Sequence, residues 1–140
     1  MLVIGIGGKE LAPQERDWLQ HNACAGVILF TRNFVDGRQL AALTAQIHAL
    51  RSPQLLISVD HEGGRVQRFR NGFSVIPPAR RIGQEYDANP KQGLAMAQHL
   101  AWLMAAELRA VGIDFSFAPC VDLDFGVSEV IGDRAYHARA

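Results

Sequence analysis

Residues 60–68 combine side chains that can do chemistry with glycines that can arrange them. The segment reads Asp-His-Glu-Gly-Gly-Arg-Val-Gln-Arg. Carboxylate oxygens accept hydrogen bonds and guanidinium groups donate them in a fixed fork, so Asp60 with Arg65, Arg68 and the distant Arg134 would suit a neutral polyol. Two adjacent glycines permit backbone conformations closed to other residues. We therefore expect the chain to fold back here and bring Arg65 and Arg68 round to face Asp60.

Two other chemistries use the same residue types. Asp60, His61 and Glu62 could ligate a metal ion with Asp122 or His137, but successive strand residues point to opposite faces, which argues against Asp60 and His61 sharing one ion. Asp60 and Glu62 could instead form an acid and base pair, but the flanking arginines favour ionised carboxylates, which is wrong for a general acid. The simplest alternative is an ordinary strand end with an Asp cap and surface arginines.

The reactive segment follows an apolar run at 55–59 that predicts a short buried strand. A carboxylate at the end of such a strand is unfavourable unless it is paired or binds a ligand, so Asp60 needs a partner. Further strands are predicted at 2–6, 26–30 and 115–118, and helices at about 13–20, 37–51 and 90–111. Asp36 and Gln39 predict a capping box for the second helix, and Leu94 falls on the apolar face predicted for the third. We expect 72–90 to be a loop with at most a short turn at 80–86, because Pro77 and Pro78 oppose a regular helix.

Alternating strands and helices predict an α/β fold with parallel strands, either a doubly wound sheet or a (β/α) barrel. In both architectures functional sites form at the carboxyl ends of strands. Polar residues follow the predicted strands at 31–33, at 60–68, at Asp122 and Asp124, and at Arg134. The glycines near the amino terminus lack the spacing of a dinucleotide-binding fingerprint, which disfavours a nucleotide site.

Composition narrows the choice of partners. The chain has 140 residues, enough for one domain, and its 14 basic side chains balance its 14 acidic ones. Without a basic cluster we expect neither a nucleic acid nor an anionic membrane as partner. Cys24 and Cys120 are too isolated for a disulfide framework, which favours a reducing, cytoplasmic setting.

Beyond these patterns, residues 59–69 resemble the signature loop of the family 3 glycoside hydrolases, in their bacterial β-N-acetylhexosaminidase branch. Four further segments resemble the same branch in the same order: 26–33, 102–108, 114–119 with Asp122, and 131–134. One small departure is His61, where the branch usually carries Gln. Its side chain is expected to point away from the site.

The resemblance implies a parallel (β/α)₈ TIM-type barrel, of which residues 1–140 would be the N-terminal portion of the catalytic domain, with the first four or so βα units. It implies a retaining exo-glycosidase that removes terminal β-linked N-acetylglucosamine from peptidoglycan-derived muropeptides, without a metal or cofactor. It assigns substrate binding to Asp60, Arg68 and Arg134, while Arg65 would bind or brace the loop. The nucleophilic Asp and the acid/base His of the branch match no residue here and are expected beyond Ala140.

A non-catalytic function is the alternative. Four strands alone would leave two open parallel edges and an exposed apolar interior, so an isolated half-barrel is expected to aggregate or to pair with another copy. Such a half-barrel could dimerise and still bind sugar through Asp60, Arg68 and Arg134. Hydrolysis of a chromogenic β-N-acetylglucosaminide distinguishes the two functions.

Overall fold

Strands and helices alternate along the chain in a computed structural model that describes residues 1–139. The strands are β1 (Leu2–Gly5), β2 (Cys24–Leu29), β3 (Leu56–Val59), β4 (His61–Gly63), β5 (Val66–Gln67) and β6 (Phe115–Ser116). The helices are α1 (Pro13–Gln20), α2 (Gly37–His48), α3 (Ala79–Ala88) and α4 (Pro90–Ala110). Two short 3-10 turns cover Thr31–Asn33 and Gly132–Arg134.

Four of the strands form one parallel sheet in the order β1-β2-β3-β6. The order in space follows the order along the chain, whereas a doubly wound sheet reverses its order at a switch point. Of the two predicted architectures, the barrel-type connection is therefore the one observed. The other two strands, β4 and β5, form a small antiparallel hairpin that the sequence patterns did not predict.

The hydrophobic core lies between one face of this sheet and the helices. Val27 and Leu29 of β2 and Ile57 and Val59 of β3 are fully buried on this face, and the residues between them point to the opposite face. Helix α2 packs on them through its own fully buried stripe: Leu40, Leu43 and Ile47. The predicted cap of α2 is confirmed, since the Asp36 carboxylate accepts a hydrogen bond of 2.8 Å from the backbone N–H of Gln39.

The other face of the sheet, here called the open face, carries apolar side chains that no part of residues 1–139 covers fully. Cross-strand register places Val3, Gly26 and Leu56 on this face. Phe115 also lies on it, because it pairs with Ser58, which is on the same face as Leu56. Val3, Leu56 and Phe115 remain 49%, 54% and 39% exposed. The expected exposure of an apolar interior is thus observed for the described residues.

Two predicted elements and the burial of one residue differ from what is observed. Residues 79–88 form the regular helix α3 rather than a loop, because Pro78 is its N-cap and both prolines precede the positions that they would disrupt. Leu94 was expected on the buried face of α4 but is 62% exposed. Strand β6 ends at Ser116 instead of 118, and Pro119 just beyond has no N–H to extend the ladder. None of the helices within residues 1–139 is sufficiently long and apolar to cross a membrane.

Helices α3 and α4 pack closely where Gly93 meets Tyr86. A Cβ atom at position 93 would clash with the Tyr86 Cα atom, so the helices would have to move apart. Gly37, at the first turn of α2, is a matched helical glycine. A Cβ atom there would be 3.8 Å from its nearest neighbour, a Val111 methyl group, which is an ordinary contact.

We predict that Gly93→Ala lowers the free energy of unfolding by roughly 1–3 kcal/mol, because overpacked contacts force backbone shifts. Gly37→Ala should be neutral or stabilising by up to about 1 kcal/mol, since alanine favours a helix. Urea denaturation followed by circular dichroism measures both changes. Equal effects of the two substitutions would contradict the close packing of α3 on α4.

Candidate functional site

Side chains of β3 point alternately to the two faces of the sheet, and this alternation continues beyond the strand to residue 63. Ile57, Val59 and His61 are buried on the side of the helices. Asp60 and Glu62 fall on the other side, which is the open face, and both are partly exposed. Because the period of an extended chain is two, the same local geometry that buries the apolar residues directs both acids out of the core.

The hairpin of β4 and β5 then turns at the two glycines. Gly63 and Gly64 have φ values of +93° and +53°, which side chains strongly disfavour. A Cβ atom on Gly63 would lie 2.6 Å from the carbonyl oxygen of Pro77. The backbone N–H of Gly64 also donates a 2.8 Å hydrogen bond to the Ile76 carbonyl. The fold-back expected at these glycines is therefore present.

Arg68 returns to Asp60, as expected. Its Nη2 donates to Asp60 Oδ2 at 3.2 Å, and both side chains are partly exposed. The guanidinium carbon also lies 5.8 Å from the centre of the Phe30 ring, at the end of β2. Arg68 Nε is buried and has no hydrogen-bond partner among the described residues. The pair thus keeps both acceptor and donor capacity for a ligand.

Arg134 is held by Glu62 rather than by Asp60. Nε and Nη2 of Arg134 donate to the two carboxylate oxygens of Glu62 at 2.9 and 2.7 Å, while Nη1 donates to the Val130 carbonyl at 3.2 Å. The hydrogen bonds with Glu62 are the main cause that raises the pKa of Arg134, against the opposing effect of burial, and the nearby charge of Asp60 adds to it. Sequence reasoning considered Glu62 only as an acid or a metal ligand and missed this pairing.

Arg65 does not face Asp60, which corrects one expectation. Its Nε donates to Asp133 Oδ1 at 3.2 Å, and its Nη2 donates to the carbonyl oxygens of Glu129 and Val130 at 2.8 and 2.7 Å. The turn at the two glycines sends Arg65 outwards, so its side chain reaches the loop before Arg134. Of the two roles predicted for Arg65, these contacts match bracing of the loop.

His61 lies on the opposite side from Asp60, as expected from the alternation. Its ring packs 5.6 Å from that of Phe69 and 5.8 Å from that of Phe73. Burial is the main cause that lowers the pKa of His61 to about 4. The charge of Glu107 opposes this shift, and those of Arg70 and Arg68 add to it.

The residues proposed as metal ligands do not converge. Within residues 1–139, no three side chains of His, Cys, Asp or Glu are grouped so that they could hold a metal ion. His137 instead pairs with Asp87, with 3.2 Å between Nε2 and Oδ1. Asp122 Oδ2 lies 3.6 Å from the sulfur of Cys120.

A cavity of about 420 Å³ adjoins the Glu62–Arg134 pair on the side of α4. Met104, Phe115 and Tyr136 line much of it, and neither Asp60 nor Arg68 does. Glu62 and Arg134 themselves line this mostly apolar cavity, whereas the pair of Asp60 and Arg68 lies outside it.

A family model described as the glycosyl hydrolase family 3 N-terminal domain matches residues 2–140. The chain belongs to this family. Among family 3 enzymes, the β-hexosaminidase of Thioalkalivibrio sulfidiphilus is 57% identical over 136 residues, which is 97% of this chain and 39% of that relative.

Solved structures agree with the family membership. NagZ from Neisseria gonorrhoeae, in complex with N-trifluoroacetyl-D-glucosamine, superposes with a TM-score of 0.96 at 44% identity over 98% of this chain and 41% of its own. The family 3 β-N-acetylglucosaminidase from Paenibacillus sp. str. FPU-7 has a TM-score of 0.85 at 34% identity, over 96% of this chain and 25% of its own. The chain spans well under half the length of these relatives. Its parallel sheet is a part of a TIM-type barrel, as predicted.

We predict that protonation of His61 destabilises this family 3 fold in mild acid. Above pH 6.5 the imidazole is neutral in folded and unfolded chains, so its contribution is fully present. As the pH falls from 6.5 towards 4, unfolded chains bind a proton that folded chains do not, and the free energy of unfolding decreases.

Replacing His61 by Gln should remove about 1 kcal/mol or more of the loss of stability between pH 6.5 and pH 4. Urea denaturation at several pH values measures this loss. His99, which is exposed on α4, provides the control: His99→Gln should retain the slope of the unmutated protein. An unchanged slope in His61→Gln would contradict a neutral, buried imidazole.

Proposed function

We propose that the full-length protein is a retaining exo-glycosidase that hydrolyses terminal β-linked N-acetylglucosamine, and that residues 1–140 are the N-terminal portion of its catalytic domain. In this proposal the chain supplies substrate-binding residues: Asp60, Arg68 and Arg134, with Arg65 bracing the loop. The observation that carries the proposal is the pairing of each binding arginine with its own carboxylate at the carboxyl edge of the sheet.

The balance of charge in this group favours a neutral ligand. Arg68 pairs with Asp60 and Arg134 pairs with Glu62, whereas the pair of Arg65 and Asp133 is about half exposed and braces the loop. The two binding cations are cancelled by their own two anions, so an incoming phosphate or carboxylate finds no net positive charge to bind. Sugar hydroxyls both donate and accept hydrogen bonds, so they can bind the remaining acceptor sites of Asp60 and the remaining N–H groups of Arg68 and Arg134.

The relatives support N-acetylglucosamine as the sugar. The Neisseria structure holds an N-acylated glucosamine derivative, and the Paenibacillus relative is named a β-N-acetylglucosaminidase. We extend this class to muropeptides derived from peptidoglycan, with a cytoplasmic enzyme that recycles them. No nucleic acid or membrane partner is included in the proposal.

In the proposed reaction, the residues of this chain bind and orient the non-reducing sugar. Asp60 accepts hydrogen bonds from ring hydroxyls, and Arg68 and Arg134 donate to them, so that the anomeric carbon is held in one place relative to the reacting groups. The resemblance to family 3 implies that a nucleophilic Asp forms a covalent glycosyl-enzyme and that a His serves as acid and base. In this proposal neither role belongs to residues 1–140.

A sugar-binding half-barrel that dimerises is the second candidate. The observation that favours it is the apolar open face, because Val3, Leu56 and Phe115 would be shielded if a second copy packed against them. This function needs the binding residues and no catalytic group.

We predict that the full-length protein cleaves a chromogenic β-N-acetylglucosaminide and that Asp60→Ala lowers kcat/KM by about 100-fold or more, because the sugar loses an acceptor and Arg68 loses its partner. The control is Asp17→Ala, which removes an exposed carboxylate on α1 and should leave kcat/KM unchanged. Activity of Asp60→Ala within about twofold of the unmutated value would contradict the assigned site. No cleavage by the unmutated protein, with N-acetylglucosamine still bound, would favour the half-barrel.

A further inference from the structure

Glu62 and Arg134 form the least exposed ion pair of the site. The Glu62 side chain is 10% exposed and that of Arg134 is 25% exposed, whereas Arg65 and Asp133 next to them are 49% and 48% exposed. Both oxygens of Glu62 are engaged by Arg134, at 2.9 and 2.7 Å. Such two-point contacts fix the plane of a guanidinium as well as its position.

The remaining donors of Arg134 follow from counting its N–H groups. A guanidinium side chain has five, of which Glu62 accepts one from Nε and one from Nη2, and the Val130 carbonyl accepts one from Nη1. One N–H therefore remains on each of Nη1 and Nη2. These two donors can bind adjacent hydroxyls, or a hydroxyl and an amide oxygen, only while Glu62 holds the other edge of the group.

Glu62 also separates two charges that would otherwise meet. Asp60 lies near enough for its charge to act on Arg134, and Asp60 already accepts from Arg68 at 3.2 Å. Without a carboxylate at position 62, Arg134 would be a partly buried cation that lacks its paired anion and is attracted to Asp60. An Arg134–Asp60 contact would occupy the acceptor that the sugar needs.

We propose that Glu62 is a positioning residue that aims the free donors of Arg134 at the sugar and cancels its charge, so that the site selects an uncharged ligand over an anion. This inference rests on the proposed function, in which Arg134 binds the substrate. It assigns Glu62 no contact with the sugar.

A purely structural role for Glu62 is the competing explanation, and the chain contains a matched control for it. Arg65 already joins the hairpin to the loop around residue 130 through Asp133 and two carbonyl oxygens. Asp133→Asn weakens the same junction between the same two segments and leaves the guanidinium of Arg134 paired. If Glu62 only joins hairpin and loop, Asp133→Asn and Glu62→Gln should act alike.

The test is steady-state hydrolysis of a chromogenic β-N-acetylglucosaminide by the full-length protein, with inorganic phosphate as the anionic probe. Gln at position 62 keeps the shape but turns an N–H₂ towards Arg134, so we expect KM to rise about tenfold or more with a smaller change in kcat. The inhibition constant for phosphate should fall by about tenfold, because Arg134 gains an uncancelled charge. Asp133→Asn should leave both within about twofold.

Two further variants separate the parts of the proposal. Glu62→Asp keeps the charge on a shorter side chain, so KM should rise while phosphate inhibition stays at the unmutated level. In an Arg134→Ala background, Glu62→Gln should change KM by no more than about twofold, because its effect passes through Arg134. If the Glu62→Gln protein folds poorly, the Glu62→Asp variant still tests the positioning role of Glu62.

Three results would overturn the inference: equal effects of Glu62→Gln and Asp133→Asn, full additivity of Glu62→Gln with Arg134→Ala, or phosphate inhibition that strengthens equally in Glu62→Asp. Failure of the proposed function is a different result, since the unmutated protein would then not cleave the substrate. In that case, calorimetric binding of N-acetylglucosamine and of phosphate to the same variants replaces KM and the inhibition constant, with the same expected ratios.

Discussion

The alternation of side chains along β3 and into β4 is the constraint on which the site depends. Each residue from 56 to 63 is assigned to one of two sides by an extended backbone: Ile57 and Val59 take the side of the helices, whereas Leu56 lies on the open face. A shift of one residue would bury Asp60 and Glu62 and expose Ile57 and Val59. The packing of α2 on the sheet therefore holds the two acids at the edge.

Pairing of opposite charges is the second principle of the site. Hydrogen-bonded ion pairs with limited exposure resist separation, since removing one partner leaves an unsatisfied charge in a poorly hydrated place. Arg134 and Glu62 satisfy each other with two hydrogen bonds, while Asp60 and Arg68 make only one. The first pair is thus suited to fix the orientation of Arg134, and the second retains hydrogen-bond donors and acceptors that can bind a ligand. Two pairs of the same chemical type differ in function because they differ in geometry.

Local patterns predicted what depends on local residues. The cap at Asp36, the strand before Asp60 and the return of Arg68 after two glycines all follow from contacts between residues fewer than ten positions apart. The partners of Glu62 and Arg65 lie 72 and 68 residues away, and no spacing in one sequence indicates them. Two consecutive prolines indicate a loop, so Pro77 and Pro78 conceal helix α3, which begins directly after Pro78 as its N-cap. The exposure of Leu94 likewise depends on which side of α4 the rest of the chain covers, which helical periodicity alone does not determine.

The open face and the binding group belong to the same side of one sheet, and this links stability to function. Leu56 at the start of β3 lies on this side and is about half exposed, and Asp60 lies on the same side just past the end of the strand. Any structure that shields Leu56, Val3 and Phe115 from water must also approach Asp60 and Glu62, whether it consists of further barrel strands or of a second copy. Covering the apolar surface stabilises the fold by roughly 25 cal/mol for each Å² removed from water. The same covering structure also places protein groups on the second side of the site. A binding group formed from one wall leaves a bound sugar hydrated on its other side, where water competes for every hydroxyl. Tight and specific sugar binding is therefore expected to depend on the same packing that covers the open face.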